Sequence, residues 1–374
     1  MRKLPVSALL LGLLVVVASC LPGLSTRPTV KIGLVAPFEG LHRHLGYEAL
    51  HAVKLAMGER NQAGGVGGYT VELVALNDDQ DPVSATQRAR EMTVDPDVVG
   101  VIGHFGEETT VAALSVYDEA GLALLVPAST ASAVTSGGHT QTYRLVAADE
   151  AIGAAAARYA VLERAFSTMA VVGGAADLVD SFVSTARQLG AEVFVHQGQE
   201  HQILVSELST EDPDILFFAG EGSEGAELVL ALTGVGQGSS ILGANGLDTP
   251  HYVKIAGETA EGTVYVSLAP PLLDARFSRA YEESSGAIPG PYAVLSYDAA
   301  GLMLDALERC IALEGKPSRL CVANALAGTT GYEGLTGTIS FDKWGQATGR
   351  EVYFFEIAGG QYPGEFRSCS VCSQ

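Results

Sequence analysis

Positive charge is scarce in this 374-residue sequence. Its 22 lysines and arginines stand against 43 acids, for a net charge of −21. A body this acidic repels nucleic acid and anionic lipid headgroups, so neither is an expected partner. Long apolar runs are also few. One spans residues 9–17, and nothing later offers a transmembrane segment, which needs ~20 apolar residues. No Walker A sequence is present, and no Gly-x-Ser-x-Gly. The second absence removes the nucleophile elbow of the α/β-hydrolases. Low-complexity sequence is limited to a short stretch at 21–28. Hydrophobic residues at 47% and charged residues at 17% describe a globular chain.

The N-terminus carries an address. Arg2 and Lys3 precede the apolar run, and Ala18-Ser19-Cys20 closes it. A charged start, a short apolar centre and small residues at the cut are the marks of a secretory signal. Cys20 after Val17-Ala18-Ser19 resembles a bacterial lipobox, in which the cysteine is lipidated and begins the mature chain. The expectation is a signal peptide over 1–19 and a tether over 20–29. Loss of Arg2 and Lys3 takes the net charge to −23. Membrane association then depends on the Cys20 lipid rather than on a basic patch.

Four further cysteines remain: Cys310, Cys321, Cys369 and Cys372. Outside the cytoplasm an even set favours disulfides, and three pairings are open. Cys310 and Cys321 flank a Gly315-Lys316-Pro317 turn, and Cys369 and Cys372 form a C-x-x-C in the tail, 369–374. A zinc site lacks a second C-x-x-C.

The rest of the chain alternates strand-like and helix-like runs. Residues 30–36 read as a strand, 45–62 as a helix with Ala49, Ala52, Val53 and Ala56 on one face, and 98–103 as a buried strand. The rhythm restarts after Tyr143, with strands at 170–172, 192–195, 215–219 and 241–243. Two rounds of βαβ repetition predict two doubly wound parallel sheets. Residues 337–341 and 352–357 read as late strands paired antiparallel. The glycines at 64–68 follow a helix and precede a strand, the reverse of a dinucleotide loop, so they read as a helix stop and turn. Gly173-Gly174 has the right order but lacks the third glycine.

The order of motifs resembles the type I periplasmic substrate-binding proteins of the Leu/Ile/Val-binding kind. The likeness rests on Lys31-Ile32-Gly33-Leu34-Val35-Ala36-Pro37, Ala63-Gly64-Gly65-Val66, Asn77-Asp78-Asp79 with Asp81-Pro82, Val101-Ile102-Gly103-His104, Val126-Pro127-Ala128-Ser129-Thr130, Glu258-Thr259-Ala260-Glu261-Gly262 and Phe341-Asp342-Lys343-Trp344-Gly345. It implies two lobes joined by three crossings, near 144–149, 263–267 and 335–338. Lobe one would hold 30–146 and 268–335, and lobe two 147–267 and 336–368.

Ligands of open α/β sheets sit outside the carboxyl ends of the strands. That rule selects the loops at 37–44, 104–107, 128–130, 173–178, 220–221 and 244–248. The resemblance implies that Ala128, Ser129 and Thr130 hold a ligand carboxylate. Glu107 stands where amino-acid binders place a serine, and Asn245 where they place an acid for the ammonium. Leu45, Leu178 and Glu221 fall where the family has tyrosines, and Tyr292 keeps an aromatic wall. The candidate ligand-binding set is Glu107, Ala128, Ser129, Thr130, Leu178, Glu221, Asn245, Tyr292 and His44.

Glu107 would repel a ligand carboxylate at short range, which disfavours a simple aliphatic amino acid. Glu107 and Glu221 would favour a cationic or hydroxyl-rich ligand. Both also suit the first turn of a helix, where acids meet a favourable dipole. His42, His44 and His51 fit no compact zinc motif, and Asp177, Asp180, Asp248 and Tyr297 read as caps or fold contacts. The expected function is that of a lipid-anchored, extracytoplasmic solute-binding protein of an ABC importer. It would be monomeric, without cofactor, metal or catalysis, and its partners a small-molecule ligand and permease subunits. A sensor of the same fold is the alternative, and a secreted α/β enzyme a further one.

Overall fold

The computed structural model describes residues 27–198 and 201–372. The expected signal peptide, Cys20 and most of the tether lie outside the described residues. No described helix is long and apolar enough to cross a membrane.

The first sheet contains β1 (Thr29–Ala36), β2 (Thr70–Asn77), β3 (Val98–Gly103), β4 (Ala123–Val126) and β5 (Thr142–Arg144). Their order is β2-β1-β3-β4-β5, and every pairing is parallel. Strand β3, Val-Val-Gly-Val-Ile-Gly, is buried at all its positions. A central parallel strand covered on both faces requires such a run. Helices α1 (Arg43–Gln62), α2 (Pro82–Val94) and α3 (Glu107–Glu119) follow the first three strands, and the short α4 (Ala133–Ser136) lies between β4 and β5. Asp81 caps α2 by accepting from Ser84 N, with Pro82 at the first turn.

The second sheet is built from β6 (Thr168–Val172), β7 (Glu192–His196), β8 (Ile215–Phe218), β9 (Ser240–Gly243) and β10 (Val264–Ser267), extended by β13 (Tyr353–Ala358) and β14 (Gln361–Arg367). Its order is β14-β13-β10-β9-β8-β6-β7. The pairs β10–β13 and β13–β14 are antiparallel and the rest parallel. Helices α5 (Asp149–Arg158), α6 (Ala176–Gln188), α7 (His201–Glu211), α8 (Gly222–Gly234) and α9 (Pro250–Ala256) connect this half. Then come α10 (Ala275–Ser285), α11 (Pro291–Glu314) and α12 (Arg319–Ala327). Helix α11 packs along α1, and α12 on β3 and β4, so these two belong with the first sheet.

The late strands pair differently from the sequence expectation. β12 (Gly337–Ile339) pairs with β11 (Tyr332–Gly334), not with β13. The reason is local. Asp342 Oδ1 accepts from Trp344 N at 2.8 Å and Gln346 N at 3.0 Å. This turn folds Phe341 onto Ala347 and sets Gln346 beside Arg144. β13 is left free to pair with β10.

The same contacts bear on the crossings. Ile339, Phe341 and Ala347 are buried in one cluster with Ile32, Leu34 and Ile102 of the first sheet. Residues 336–347, expected in the second lobe, therefore pack on the first, and the chain passes over between Ala347 and Tyr353. Residues 264–267 are strand β10 of the second sheet, so that crossing follows Ser267. The crossings share a buried cluster that includes Val146, Ala147, Leu268 and Ala269, with Val352 packed against it. Asp298 on α11 anchors the approach to the last one. It accepts from Leu335 N at 2.7 Å, and from Thr336 N at 2.8 Å and Thr336 Oγ1 at 2.6 Å.

Cys310 is bonded to Cys321, across the turn between α11 and α12, and Cys369 to Cys372. The glycines at 64–68 form a helix stop and turn, with a bridge from Val66 to Tyr69. Gly173 and Gly174 have φ of 74° and 94°. A Cβ on Gly174 would collide with Ala219, so this pair serves a tight turn beside the neighbouring strand loop.

Candidate functional site

The carboxyl ends of the two sheets face one another across a cavity of about 430 Å³. All nine candidates from the sequence line it: Glu107, Ala128, Ser129, Thr130, Leu178, Glu221, Asn245, Tyr292 and His44. His42, Gln80, Glu224, Asp248, Thr249 and His251 line it too. The first sheet supplies the loops after β1, β3 and β4. The second supplies those after β6, β8 and β9.

The loop after β4 is held from behind by Arg144. Its Nη1 donates to the carbonyls of Thr130 at 2.9 Å and Ala131 at 2.7 Å. Its Nη2 reaches Thr135 Oγ1 at 3.1 Å, and its Nε reaches Gln346 Oε1 at 2.6 Å. A buried guanidinium with this many acceptors fixes a loop more rigidly than one hydrogen bond can. His104 supports the loop after β3. Its ring is fully buried between Asp78 Oδ2 at 2.7 Å and the Tyr117 hydroxyl at 3.1 Å. It is a structural histidine beneath the site.

Glu107 opens α3 and is half-buried. Its Oε1 accepts from Thr130 Oγ1 at 3.1 Å. Burial, then the charge of Asp149, raise its carboxyl to about 7. Asp149 begins α5 on the other lobe, and its backbone N–H donates to Thr130 O at 3.0 Å. Its side chain is buried, with Oδ1 lacking a hydrogen-bond partner, and burial raises its carboxyl. Across the cavity Glu221 precedes α8 at the N-cap position, yet its side chain makes no capping bond. It stays open to solvent within the cleft, and partial desolvation by the walls raises its carboxyl.

Two histidines meet at the mouth. The His44 and His251 rings lie 5.1 Å apart between centroids, and His44 Nε2 is 3.5 Å from Thr249 Oγ1. Both Nδ1 atoms are buried without a partner. Burial first, and His251 second, push His44 down to about 4.

At the base, Asp248 accepts from the Tyr362 hydroxyl at 2.8 Å, and burial raises its carboxyl to about 6. Glu48 of α1 is raised to about 8 by burial and by Asp248. Its Oε2 accepts from Ala293 N at 3.3 Å. Glu48 and Asp149 stand outside the cavity lining and sequence reading singled out neither, while Asp248, which does line it, was taken as a cap or fold contact. Glu48 did carry a signal: it is an acid three residues after Leu45 and four before Ala52, on the apolar face of α1.

Two α/β lobes closing on a polar cavity, with three chain crossings between them, define a hinged binding protein. Comparison with known proteins agrees. The profile of the periplasmic binding protein family matches residues 29–361, and the chain belongs to that family. An amino acid binding protein of Pseudomonas aeruginosa is 26% identical over 76% of this chain and 80% of its own length. The leucine-, isoleucine-, valine-, threonine- and alanine-binding protein of the same organism is 25% identical over 88% of this chain and 90% of its own. A leucine binding protein from Thermotoga maritima superposes with a TM-score of 0.82 at 25% identity, covering 91% of this chain and 98% of that one. An ABC transporter substrate-binding protein from Desulfitobacterium hafniense gives 0.77 at 26% identity, over 91% and 99%. The protein is an extracytoplasmic solute-binding protein that captures a ligand and delivers it to an ABC importer. It binds without catalysing a reaction.

Proposed function

We propose that this protein is held to a bacterial membrane by a lipid on Cys20 and captures a small polar solute, amino-acid-like or related, for its permease. The observation that carries the reading is the cavity of about 430 Å³ lined from both lobes. A ligand touching both walls gains contacts only in the closed form, so it shifts the population toward closure. The Arg2-Lys3 start, the apolar run at 9–17 and Ala18-Ser19-Cys20 support the anchor. The curated relatives support the solute class. The nine lining candidates are proposed as ligand contacts, with Thr130 and Ser129 on one wall and Glu221 and Asn245 on the other.

A thermal-shift screen of amino acids, amides, polyamines and sugars, with X-ray scattering of the hits, tests the capture. A true ligand raises the melting temperature and shrinks the radius of gyration. A screen without a hit rejects the reading. Cys20→Ser tests the anchor, since it should move the protein from the membrane to the soluble fraction.

A further inference from the structure

The next step rests on solute capture and narrows its ligand. Thr130 occupies the place assigned to a ligand carboxylate, but its hydroxyl already serves Glu107 Oε1 at 3.1 Å. Glu107 is also the first residue of α3, the helix end whose free N–H groups and dipole favour an anion. The chain's own carboxylate stands where an incoming carboxylate would bind. We propose that Glu107 replaces the carboxylate of the ligand, and that the cleft takes a small organic ammonium ion, an amine or diamine without a carboxylate.

Three observations point the same way. No lysine or arginine is among the described residues lining the cavity, and its basic side chains are the histidines His42, His44 and His251. The facing wall carries Glu221 and Glu224, so acids look into the space from both lobes. Ser129, only 1% exposed, has an Oγ without a partner, and Gln80 Oε1 is buried and unpartnered as well. Both line the cavity. An ammonium group brings three donors and no acceptor, which suits acceptors left open. It would also hold Glu107 ionised. Because burial and Asp149 raise that carboxyl to about 7, amine binding at pH 6.5 should release a proton.

Titration calorimetry on the purified protein tests this, with 3-methylbutylamine, 1,4-diaminobutane and leucine as probes. One of the amines should bind at least tenfold more tightly than leucine. At pH 6.5 its heat should change with the ionisation enthalpy of the buffer, which reports proton release. Glu107→Gln keeps an acceptor for Thr130 and removes the charge. It should weaken the amine at least tenfold and abolish the proton release. Glu107→Ser frees Thr130 and should shift preference toward leucine. If Glu107→Gln does not fold, Glu221→Gln on the solvent-open wall carries the same tenfold expectation. Leucine binding within tenfold of the tighter amine, or amine binding unchanged in a folded Glu107→Gln, overturns the inference and leaves solute capture standing. If neither amines nor leucine bind, the inference falls. Solute capture falls with it only if sugars and amides also fail.

Discussion

His44 of the first lobe faces His251 of the second across the cleft mouth, with 5.1 Å between ring centroids. Each ring buries an unpartnered Nδ1. A charge on His44 would be held in this partly desolvated place without a hydrogen-bond acceptor at Nδ1. The His44 value lies near 4 in this form, lowered chiefly by burial, against about 6.5 when solvated. Between these values the unfolded chain binds more protons, so the folded form loses stability as pH falls from 6.5 toward 4. The difference amounts to about 3 kcal/mol at most. His44→Gln should flatten this part of the melting-temperature profile. A variant profile parallel to the wild type between pH 4 and 6.5 would remove His44 from the effect.

Two buried acids, Asp248 of the cleft and Glu48 behind it, have the opposite sign. Glu48 is raised to about 8 and Asp248 to about 6, both chiefly by burial. For raised acids the folded form holds the extra proton, so stability is lost as pH rises from the solvated value through the folded one. Glu48→Gln keeps an acceptor for Ala293 N and removes the ionisation. The variant should match the wild type near pH 4.5 and melt higher at pH 8.5, by a few kcal/mol in stability. Equal melting temperatures at pH 8.5 would show that Glu48 ionises there without cost.

The Cys310–Cys321 bridge closes a short loop between α11 and α12, with a sequence separation of 11. Constraint of the unfolded chain gives such a loop about 3 kcal/mol. Both half-cystines are buried, so serine replacements also place hydroxyls in apolar surroundings. The double variant Cys310→Ser/Cys321→Ser should melt several degrees lower. Mass spectrometry of the alkylated, unreduced protein should show Cys310 and Cys321 protected.

Asp298 satisfies two backbone N–H groups and a hydroxyl at the approach to the last crossing. Removing it leaves Leu335 N and Thr336 N without their partner, at a cost of roughly 2–4 kcal/mol. Asp298→Ala should therefore destabilise the protein, and Asp298→Asn less so. Denaturant unfolding compares the two. A full-strength Asp298→Ala would mean that water replaces the carboxylate.

Much of this was legible in the sequence because period and order survive without contacts. The buried strand at 98–103 appears with unchanged bounds, since a short apolar run of valine, isoleucine and glycine without a charge reads as a buried parallel strand. Eight of the nine cleft candidates fall together because loops after parallel strands converge at one end, and the ninth, Tyr292, comes from the first turn of α11. Strand pairing in the tail was not legible. Residues 337–341 and 352–357 both look like strands, and only the Asp342 turn and its seat on Arg144 decide their partners. Strand β14 was missed because Pro363 and Gly364 disguise an edge strand. Asp149 and Glu48 were invisible for a related reason: the burial that raises their carboxyls exists only in the folded chain, for Glu48 against the start of α11.

Arg144 N donates to Gly345 O at 2.8 Å, Ala347 N to Arg144 O at 2.9 Å, and Gln346 Nε2 to Val146 O at 3.0 Å. Two of the three straps at the waist are thus tied together where they leave the first lobe. They must bend as one ribbon, while the strap after Ser267 bends by itself. Opening and closing should then resemble the swing of a book cover on a stitched spine rather than the free turning of a ball in a socket. A small molecule entering the mouth would pull the lobes along a track the backbone has already laid down.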